Sequence, residues 1–338
     1  MTMNAEAPVV QRSDCAFLLL TESCNLHCHH CYVDAGPAVG RHMPLRVVER
    51  AFDLLGDLGI DDVRLTGGEP SVHPEFDRIL ESARCRNIRL GMASNGVSLL
   101  NNGRARELFS TLSRCWISLY GASAESHSRI SGRAEKTFYE TINQVGTLAS
   151  QGCWIGLSVL ASPGDSNNVG NLMSVALGAG VKKLRVLPIQ PDGRACASSI
   201  NWSTWPDEVL DIARLMSGHP VSSQFEVLTI NDPFDLADRF EDGNASCLLH
   251  SRQMWSITPD GGVYPCCFTV FSESMLVGNV LDSGMRDRLQ ELAASRSMRP
   301  PCHGLKRSFW RGATIKTVTC PIGSFDPRNL RLDHRAAA

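Results

Sequence analysis

Cys24-Asn25-Leu26-His27-Cys28-His29-His30-Cys31-Tyr32 is the stretch whose reading decides the fold. Its cysteines are spaced C-x3-C-x2-C, and the apolar run Ala16-Phe17-Leu18-Leu19-Leu20 precedes them. A short continuous apolar run reads as a buried strand. That strand would end here and deliver three thiolates into a loop at its C-terminal end. Thiolates are the usual ligands of iron–sulfur clusters. Three of them on a four-iron cube leave one iron without a protein ligand, open to a small molecule. A zinc site is the competing reading. Zinc is usually closed by four Cys or His ligands, and His27, His29 and His30 offer a fourth.

The totals narrow the classes. The chain has 338 residues, with 33 Lys and Arg against 35 Asp and Glu and a formal net charge of −2. So even a balance implies no polyanion, and nucleic acid is not expected as a partner. No apolar run is long enough to cross a bilayer, so no membrane partner is expected. Met1 to Asp14 lacks the basic start and apolar centre of a signal peptide. A cytoplasmic location is therefore expected. Thirteen cysteines in such a chain point to metal or cluster ligation rather than disulfides. Some, such as Cys85 and Cys115, fit packing as small hydrophobes.

Along the chain, strands and helices alternate. Pro44 to Leu58 carries apolar residues at helical spacing, with Gly59 placed to stop it. Val63-Arg64-Leu65 is a short strand that runs into Thr66-Gly67-Gly68-Glu69-Pro70. Two glycines allow close backbone approach to a ligand, Glu69 offers an acceptor for an ammonium group, and a plain turn is the alternative. Phe76 to Ala83 is a helix, and Ile88 to Ala93 is a strand closing at Ser94-Asn95-Gly96. Ala105 to Leu112 is helical, and Cys115-Trp116-Ile117-Ser118-Leu119-Tyr120-Gly121 is the fourth strand. Helix 138–151, strand 154–160, helix 168–179 and strand 184–189 complete six strand–helix units, ending in Gln190-Pro191-Asp192-Gly193-Arg194-Ala195. Such alternation predicts parallel pairing with right-handed crossovers.

The cysteine loop and the Gly-Gly-Glu-Pro turn, in this order and each after a strand, resemble the radical SAM superfamily. The resemblance implies a partial (β/α)6 TIM-like barrel, an α/β fold open on one side. It implies that Cys24, Cys28 and Cys31 hold a [4Fe-4S] cluster and that Tyr32 is the aromatic residue closing the motif. S-adenosyl-L-methionine (SAM) would chelate the fourth iron, and an electron would cleave it to a 5′-deoxyadenosyl radical that abstracts hydrogen. Gly67, Gly68 and Glu69 match the motif at the methionyl amino group. Asn95 matches the end of the third strand near the ribose, although Asn-Gly is also a strong turn signal. Ser118 lies in a strand similar to the family's "SLDG", with Tyr120 in place of the acid. His127, Ile130 and Gly132 continue an H-x-x-I-x-G run. Arg129 is a candidate for the SAM carboxylate, with a solvated loop arginine as the alternative. Ser158 and Leu187, on the fifth and sixth strands, complete the implied SAM contacts. Ligands should gather at the C-terminal ends of barrel strands, and Cys24, Gly68, Asn95 and Ser118 all fall there.

A second set of cysteines follows: Cys247, Cys266, Cys267, Cys302 and Cys320. Trp255 to Cys266 reads as two strands joined by Pro259-Asp260-Gly261-Gly262, a hairpin. Thirteen residues separate Cys247 from Gly261 and four separate Gly261 from Cys266. This resembles the start of the SPASM pattern that binds auxiliary clusters. The dense cysteine run that closes a full SPASM domain is absent, and only Cys302 and Cys320 follow. The resemblance therefore implies the shortened, twitch-like form, a small C-terminal α+β domain in which Cys247, Cys266, Cys302 and Cys320 hold a second, auxiliary [4Fe-4S] cluster. Zinc is the alternative there too, although a zinc ribbon needs tighter Cys pairs. Cys267 is the spare, either packing silently or giving a hydrogen atom to a substrate radical.

The expected organisation is a tail at 1–14, the barrel at 15–200, a linker helix and auxiliary-cluster domain at 201–330, and a tail at 331–338. Peptide-modifying members often carry a leader-binding domain before the barrel, whereas about fourteen residues precede the first strand here. This favours a small-molecule substrate: a sugar, nucleoside or aminoglycoside-type metabolite of antibiotic biosynthesis, epimerised or coupled through a C–C bond. The alternatives are a radical dehydrogenase, a peptide maturase, and a non-catalytic metal-binding protein. A reducing partner such as flavodoxin or ferredoxin is implied in each radical reading.

Overall fold

Strand β1 (Cys15–Thr21) forms at the apolar run, and its side chains are almost all buried, as a central parallel strand requires. The structure is a computed structural model. It describes residues 15–37, 40–100, 105–161, 163–189, 193–197, 205–230, 254–265, 267, 270 and 273–294. After β1 come α1 (Leu45–Asp57), β2 (Asp62–Gly67), α2 (Phe76–Cys85), β3 (Arg89–Ser94), the short α3 (Val97–Leu100) and α4 (Ala105–Thr111). Then follow β4 (Arg114–Leu119), α5 (Ala124–Ser131), α6 (Lys136–Ser150), β5 (Ile155–Ala161), α7 (Ser166–Gly178) and β6 (Lys183–Pro188). Strands β1 to β6 pair in sequence order and all in parallel. This is the six-unit α/β barrel expected from the sequence, and the β1–β6 arc leaves its two edges open to further pairing.

Both edges are extended. Helix α8 (Trp205–Gly218) leads to β7 (Val227–Ile230), which pairs in parallel with β6. On the other side β8 (Met254–Ile257) pairs in parallel with β1, from Cys15 opposite Met254 to Leu18 opposite Ile257. Strand β9 (Gly262–Tyr264) returns antiparallel to β8, and β10 (Gly278–Asn279) pairs with β9 before α9 (Met285–Ala294). The predicted Pro-Asp-Gly-Gly hairpin therefore continues the barrel sheet, giving ten strands in one sheet. An apolar strand such as β1 exposes a row of unpaired backbone groups unless something covers its edge; β8 supplies that cover.

Alternation along each strand sorts the side chains. Leu18, Leu20, Val63, Leu65, Ile117, Leu119, Leu157 and Val159 face the helices and are buried. Intervening positions, such as Phe17, Arg64, Trp116, Ser118, Ser158 and Arg185, face the barrel interior.

Helix α5 stands where a loop was expected around Arg129. Its sequence, Ala124-Glu-Ser-His-Ser-Arg-Ile-Ser131, has too few apolar residues to show a helical period. It is fixed at its start by a capping box between Ser123 and Ser126 and at its end by Gly132 at φ 72°. Capping chemistry of this kind supplies the start and stop that periodicity does not.

Candidate active site

The loop after β1 is held by contacts from four other segments. Glu22 N donates to Arg41 O at 2.9 Å, and Cys24 N donates to Gly36 O at 2.9 Å, so the loop closes on itself. His29 N donates to Ile130 O at the end of α5, at 3.2 Å. From beyond β6, Arg194 acts as a clamp. Its Nε donates to Cys28 O at 2.9 Å, its Nη2 to Ala35 O at 2.6 Å, and its Nη1 pairs with Asp34 at 2.7 Å. Arg194 N also donates to Cys31 O at 3.0 Å. Gly193, at φ 53°, lets the two chains touch: a Cβ there would lie 2.4 Å from Cys31 O.

N–H donors reach two of the three cysteine sulfurs. Cys24 Sγ accepts from Leu26 N at 3.4 Å and Asn95 Nδ2 at 3.6 Å, and Cys31 Sγ accepts from Ala35 N at 3.3 Å. Cys28 is buried, with the Tyr120 hydroxyl hydrogen-bonded beside it. As thiols, Cys24 and Cys28 have pKa values raised first by burial, Cys28 to about 12, and the Cys24 and Cys31 sulfurs raise that of Cys28 further. Bringing three such sulfurs together favours cationic iron as their counter-charge, and N–H donors to the sulfurs are what iron–sulfur ligation uses. The residues fit a cube. His27 and His29 are exposed, and the half-buried His30 lies against Tyr120 at 5.3 Å in a tilted arrangement.

Gly67 and Gly68 continue the β1–β2 pairing past the strand end, with Gly68 N donating to Thr21 O at 2.7 Å and Glu69 N to Ser23 O at 2.9 Å. Gly67 is at φ 114°, and a Cβ on Gly68 would lie 2.1 Å from Ser23 O. Glu69 is buried, and its carboxylate accepts from Ser71 Oγ at 2.5 Å, Ser71 N at 3.2 Å, Ser94 Oγ at 2.9 Å and Asn95 N at 2.7 Å. Burial raises the pKa of this carboxyl, and those hydrogen bonds oppose the shift. The side chain thus ties β2 to β3, which leaves backbone as the part of this turn best placed for a ligand. Asn95 bridges to the cysteine loop: its Nδ2 donates to Asn25 Oδ1 at 2.7 Å, and its Oδ1 accepts from Val97 N at 2.9 Å.

Ser118 on β4 and Leu187 on β6 are half-buried at interior positions. Ser118 lies opposite Ser158 on β5, whose Oγ accepts from Arg185 Nε at 3.0 Å. Arg129 is exposed on α5 rather than in a loop, whereas Arg133 turns inward towards Tyr120 and Cys28. Tyr32 is half-buried, with its backbone against Gly193. Cys267 is half-buried. Cys247, Cys266, Cys302 and Cys320 lie outside the described residues. Sequence reasoning did not single out Arg194, Asn25 or Ser94. Their only signal was position, each close to a recognised motif.

A cavity of about 460 Å³ opens between this loop and the β8–β9 hairpin. Glu22, Asp34, Arg41 and Arg194 line it from the loop side, and Thr258, Asp260 and Tyr264 from the hairpin.

Comparison with known proteins agrees with this geometry. Residues 18–164 match the radical SAM superfamily and residues 247–308 match SPASM, an iron–sulfur cluster-binding domain. The chain thus carries a radical SAM domain followed by a SPASM-type domain, and these two domains imply SAM, a [4Fe-4S] cluster and an auxiliary iron–sulfur cluster. Cys302 falls within the SPASM match and Cys320 beyond it. The mycofactocin maturase MftC of Mycobacterium tuberculosis is 26% identical over 287 residues, covering 83% of this chain and 71% of the relative. The subtilosin biosynthesis protein AlbA of Bacillus subtilis is 28% identical over 143 residues, 41% of this chain and 31% of the relative. Among solved structures, SuiB of Streptococcus suis bound to SAM superposes with a TM-score of 0.64 at 13% identity, covering 81% of this chain and 65% of that one. The anSMEcpe enzyme with SAM and a peptide superposes with a TM-score of 0.63 at 17% identity, covering 83% and 81%. The chain thus spans just under two thirds of the SuiB chain, and these structures bear on its fold. No helix among the described residues is long and apolar enough to cross a membrane.

Proposed function

We propose that this protein is a radical SAM enzyme that modifies a peptide. The observation that carries the reading is the extent of likeness to MftC, which runs over 83% of the chain and so over more than the barrel. The small-molecule substrate expected from the short segment before β1 gives way to the peptide alternative. The length of chain ahead of β1 does not decide what enters a cavity formed by the cysteine loop and the β8–β9 hairpin. That cavity is walled on both sides by charged and hydroxyl groups, which suit the amides of a peptide backbone.

When bound, the cluster supplies the electron that cleaves SAM. The chain's own residues do the rest. Cys24, Cys28 and Cys31 hold the cube, and Arg194 and Asn95 fix the loop. The backbone of Gly67 to Glu69, with Asn95, Ser118, Ser158 and Leu187, would hold SAM; Arg129, on the exposed face of α5, is the outlying member of that set. A one-electron donor such as flavodoxin or ferredoxin reduces the enzyme. Cys247, Cys266, Cys302 and Cys320 hold the auxiliary cluster. Cys267 would serve as hydrogen donor if the outcome is epimerisation.

Two anaerobic measurements test this. Reconstituted enzyme with SAM and dithionite should release 5′-deoxyadenosine, which a non-catalytic metal-binding protein would not. Co-expression with short peptides encoded beside its gene should shift one peptide's mass, and the shift should vanish in Cys28→Ala. If instead sugars or nucleosides in host extracts change and no peptide does, the substrate is a small molecule and the peptide reading fails.

A further inference from the structure

The barrel interior holds a layer of cations that the reading above leaves unused. Arg64, Arg114 and Arg185 come from β2, β4 and β6. Side chains from alternate strands meet in one layer of a barrel, and such layers are ordinarily filled by branched apolar residues. Here the layer is planar and charged. Arg185 lies 4.4 Å over the Trp116 ring, and Arg64 lies 5.4 Å over the Phe17 ring. Arg185 and Arg64 therefore rest on an aromatic floor, an arrangement that orients a guanidinium without neutralising it.

The counter-charge is incomplete. Arg114 pairs with Asp62, and Arg64 reaches the same carboxylate oxygen at 3.6 Å. Two guanidiniums thus share one carboxylate oxygen, while the other Asp62 oxygen is buried without a hydrogen bond among the described residues. The Nε atoms of Arg64 and Arg114 are likewise buried and without a partner among the described residues. Arg185 donates from Nε to the Ser158 hydroxyl at 3.0 Å. Its pKa is pulled down to about 9, first by burial and then by Arg64, with Arg114 adding to the effect. Room has been made for these groups. A Cβ on Gly91 would lie 3.0 Å from Arg114 Cγ, and one on Gly156 would lie 2.7 Å from the Trp116 ring. Arg64 keeps 34% of its side-chain surface and Arg114 28%, so the layer is reachable rather than sealed. An uncompensated buried cation is costly, and a carboxylate arriving from outside would relieve it with a fork of charge-assisted hydrogen bonds.

We propose that this layer is a carboxylate-recognition subsite inside the barrel, apart from the cavity beside the hairpin, with the Arg185 guanidinium, backed by Arg64, taking a carboxylate of the substrate. The inference rests on the peptide reading above, in which the carboxylate is an acidic side chain or the C-terminus.

The test uses full-length, cluster-loaded protein and trifluoroacetate as probe, followed by fluorine NMR line broadening, with neutral trifluoroethanol as control. Wild-type protein should broaden trifluoroacetate alone, and Arg185→Gln should weaken that binding about tenfold or more. Arg64→Gln provides a second variant. It removes the guanidinium that backs Arg185 and should weaken binding even if Arg185→Gln fails to fold. Equal broadening of both probes, or binding unchanged in Arg64→Gln, overturns the proposal. Displacement by N-acetyl-glycyl-glycine but not by its amide assigns the C-terminus. Displacement by N-acetyl-glutamyl-glycinamide assigns a side chain, and displacement by neither overturns the subsite. Release of 5′-deoxyadenosine by the same preparation is read separately, so loss of the subsite with cleavage intact leaves the proposed function standing.

Discussion

The most informative single side chain is Arg194, because it makes contacts to the cysteine loop that no smaller cation can reproduce. A guanidinium presents several donors in a rigid fork, and here they reach Cys28 O, Ala35 O and Asp34 together. Arg194→Lys and Arg194→Gln are both expected to loosen the loop, measured as faster iron loss to a chelator after anaerobic reconstitution. Equal iron retention in wild type and both variants would show that the loop does not depend on the clamp. Cys28→Ala should remove about four of about eight irons while leaving the auxiliary site loaded. Gly193→Ala is expected to destabilise the protein by about 1–3 kcal/mol, since φ 53° and the nearby Cys31 O both oppose a Cβ. Thermal unfolding of the reconstituted protein measures that.

Elements carry the next level of control, and α5 shows it best. The helix is short, yet its last carbonyls and caps meet the cysteine loop, with Ile130 O accepting from His29 N. Ser123→Ala removes the cap hydroxyl and should cost about 1 kcal/mol. His127 locks the helix to β4: its Nδ1 accepts from Tyr120 N at 3.2 Å, which places its proton on Nε2 facing Thr137 Oγ1 at 3.1 Å. Burial, then Arg133, lowers its pKa from 6.5 to about 4. The folded state therefore resists a proton that the unfolded chain accepts. This contribution is intact above about 6.5 and is lost as pH falls towards about 4. Stability measured across that window should fall less steeply in His127→Gln than in wild type. Parallel slopes would mean that His127 titrates alike in both states.

At the scale of the whole molecule, the joint between β1 and β8 makes barrel and hairpin one body. Trp255 of β8 is 2% exposed, packed in the same core as β1. Trp255→Ala should cost about 3–5 kcal/mol and should lower the unfolding temperature of the barrel as well. A single shifted transition, seen by both near-ultraviolet circular dichroism and cluster absorbance, is the expected result. Two transitions, with only the later one unchanged, would show that the hairpin folds independently of the barrel. The joint has a functional side too, because the cavity between the cysteine loop and the hairpin exists only while β8 is paired with β1.

Some of this was legible in the residues alone. The C-x3-C-x2-C spacing, the Gly-Gly-Glu-Pro turn and the alternation of apolar strands with helical periods specify the cysteine loop and the six-unit barrel, because each depends on neighbours in sequence. Cysteine spacing fixes which sulfurs share a loop, and a strand buried on both faces has to be apolar throughout. Helix α5 was not legible, since its limits are set by hydroxyl caps rather than by an apolar face. Nor was the use of Glu69, whose carboxylate is taken up by Ser71, Ser94 and Asn95. Arg194, Arg64 and Arg185 read as ordinary charges in sequence. Their roles depend on contacts between strands and loops far apart in the chain, such as the 166 residues between Arg194 and Cys28. Sequence by itself determined the three-cysteine loop and the barrel; only the tertiary structure decided what clamps the loop and where charge is buried, because those follow from long-range packing that no local pattern records.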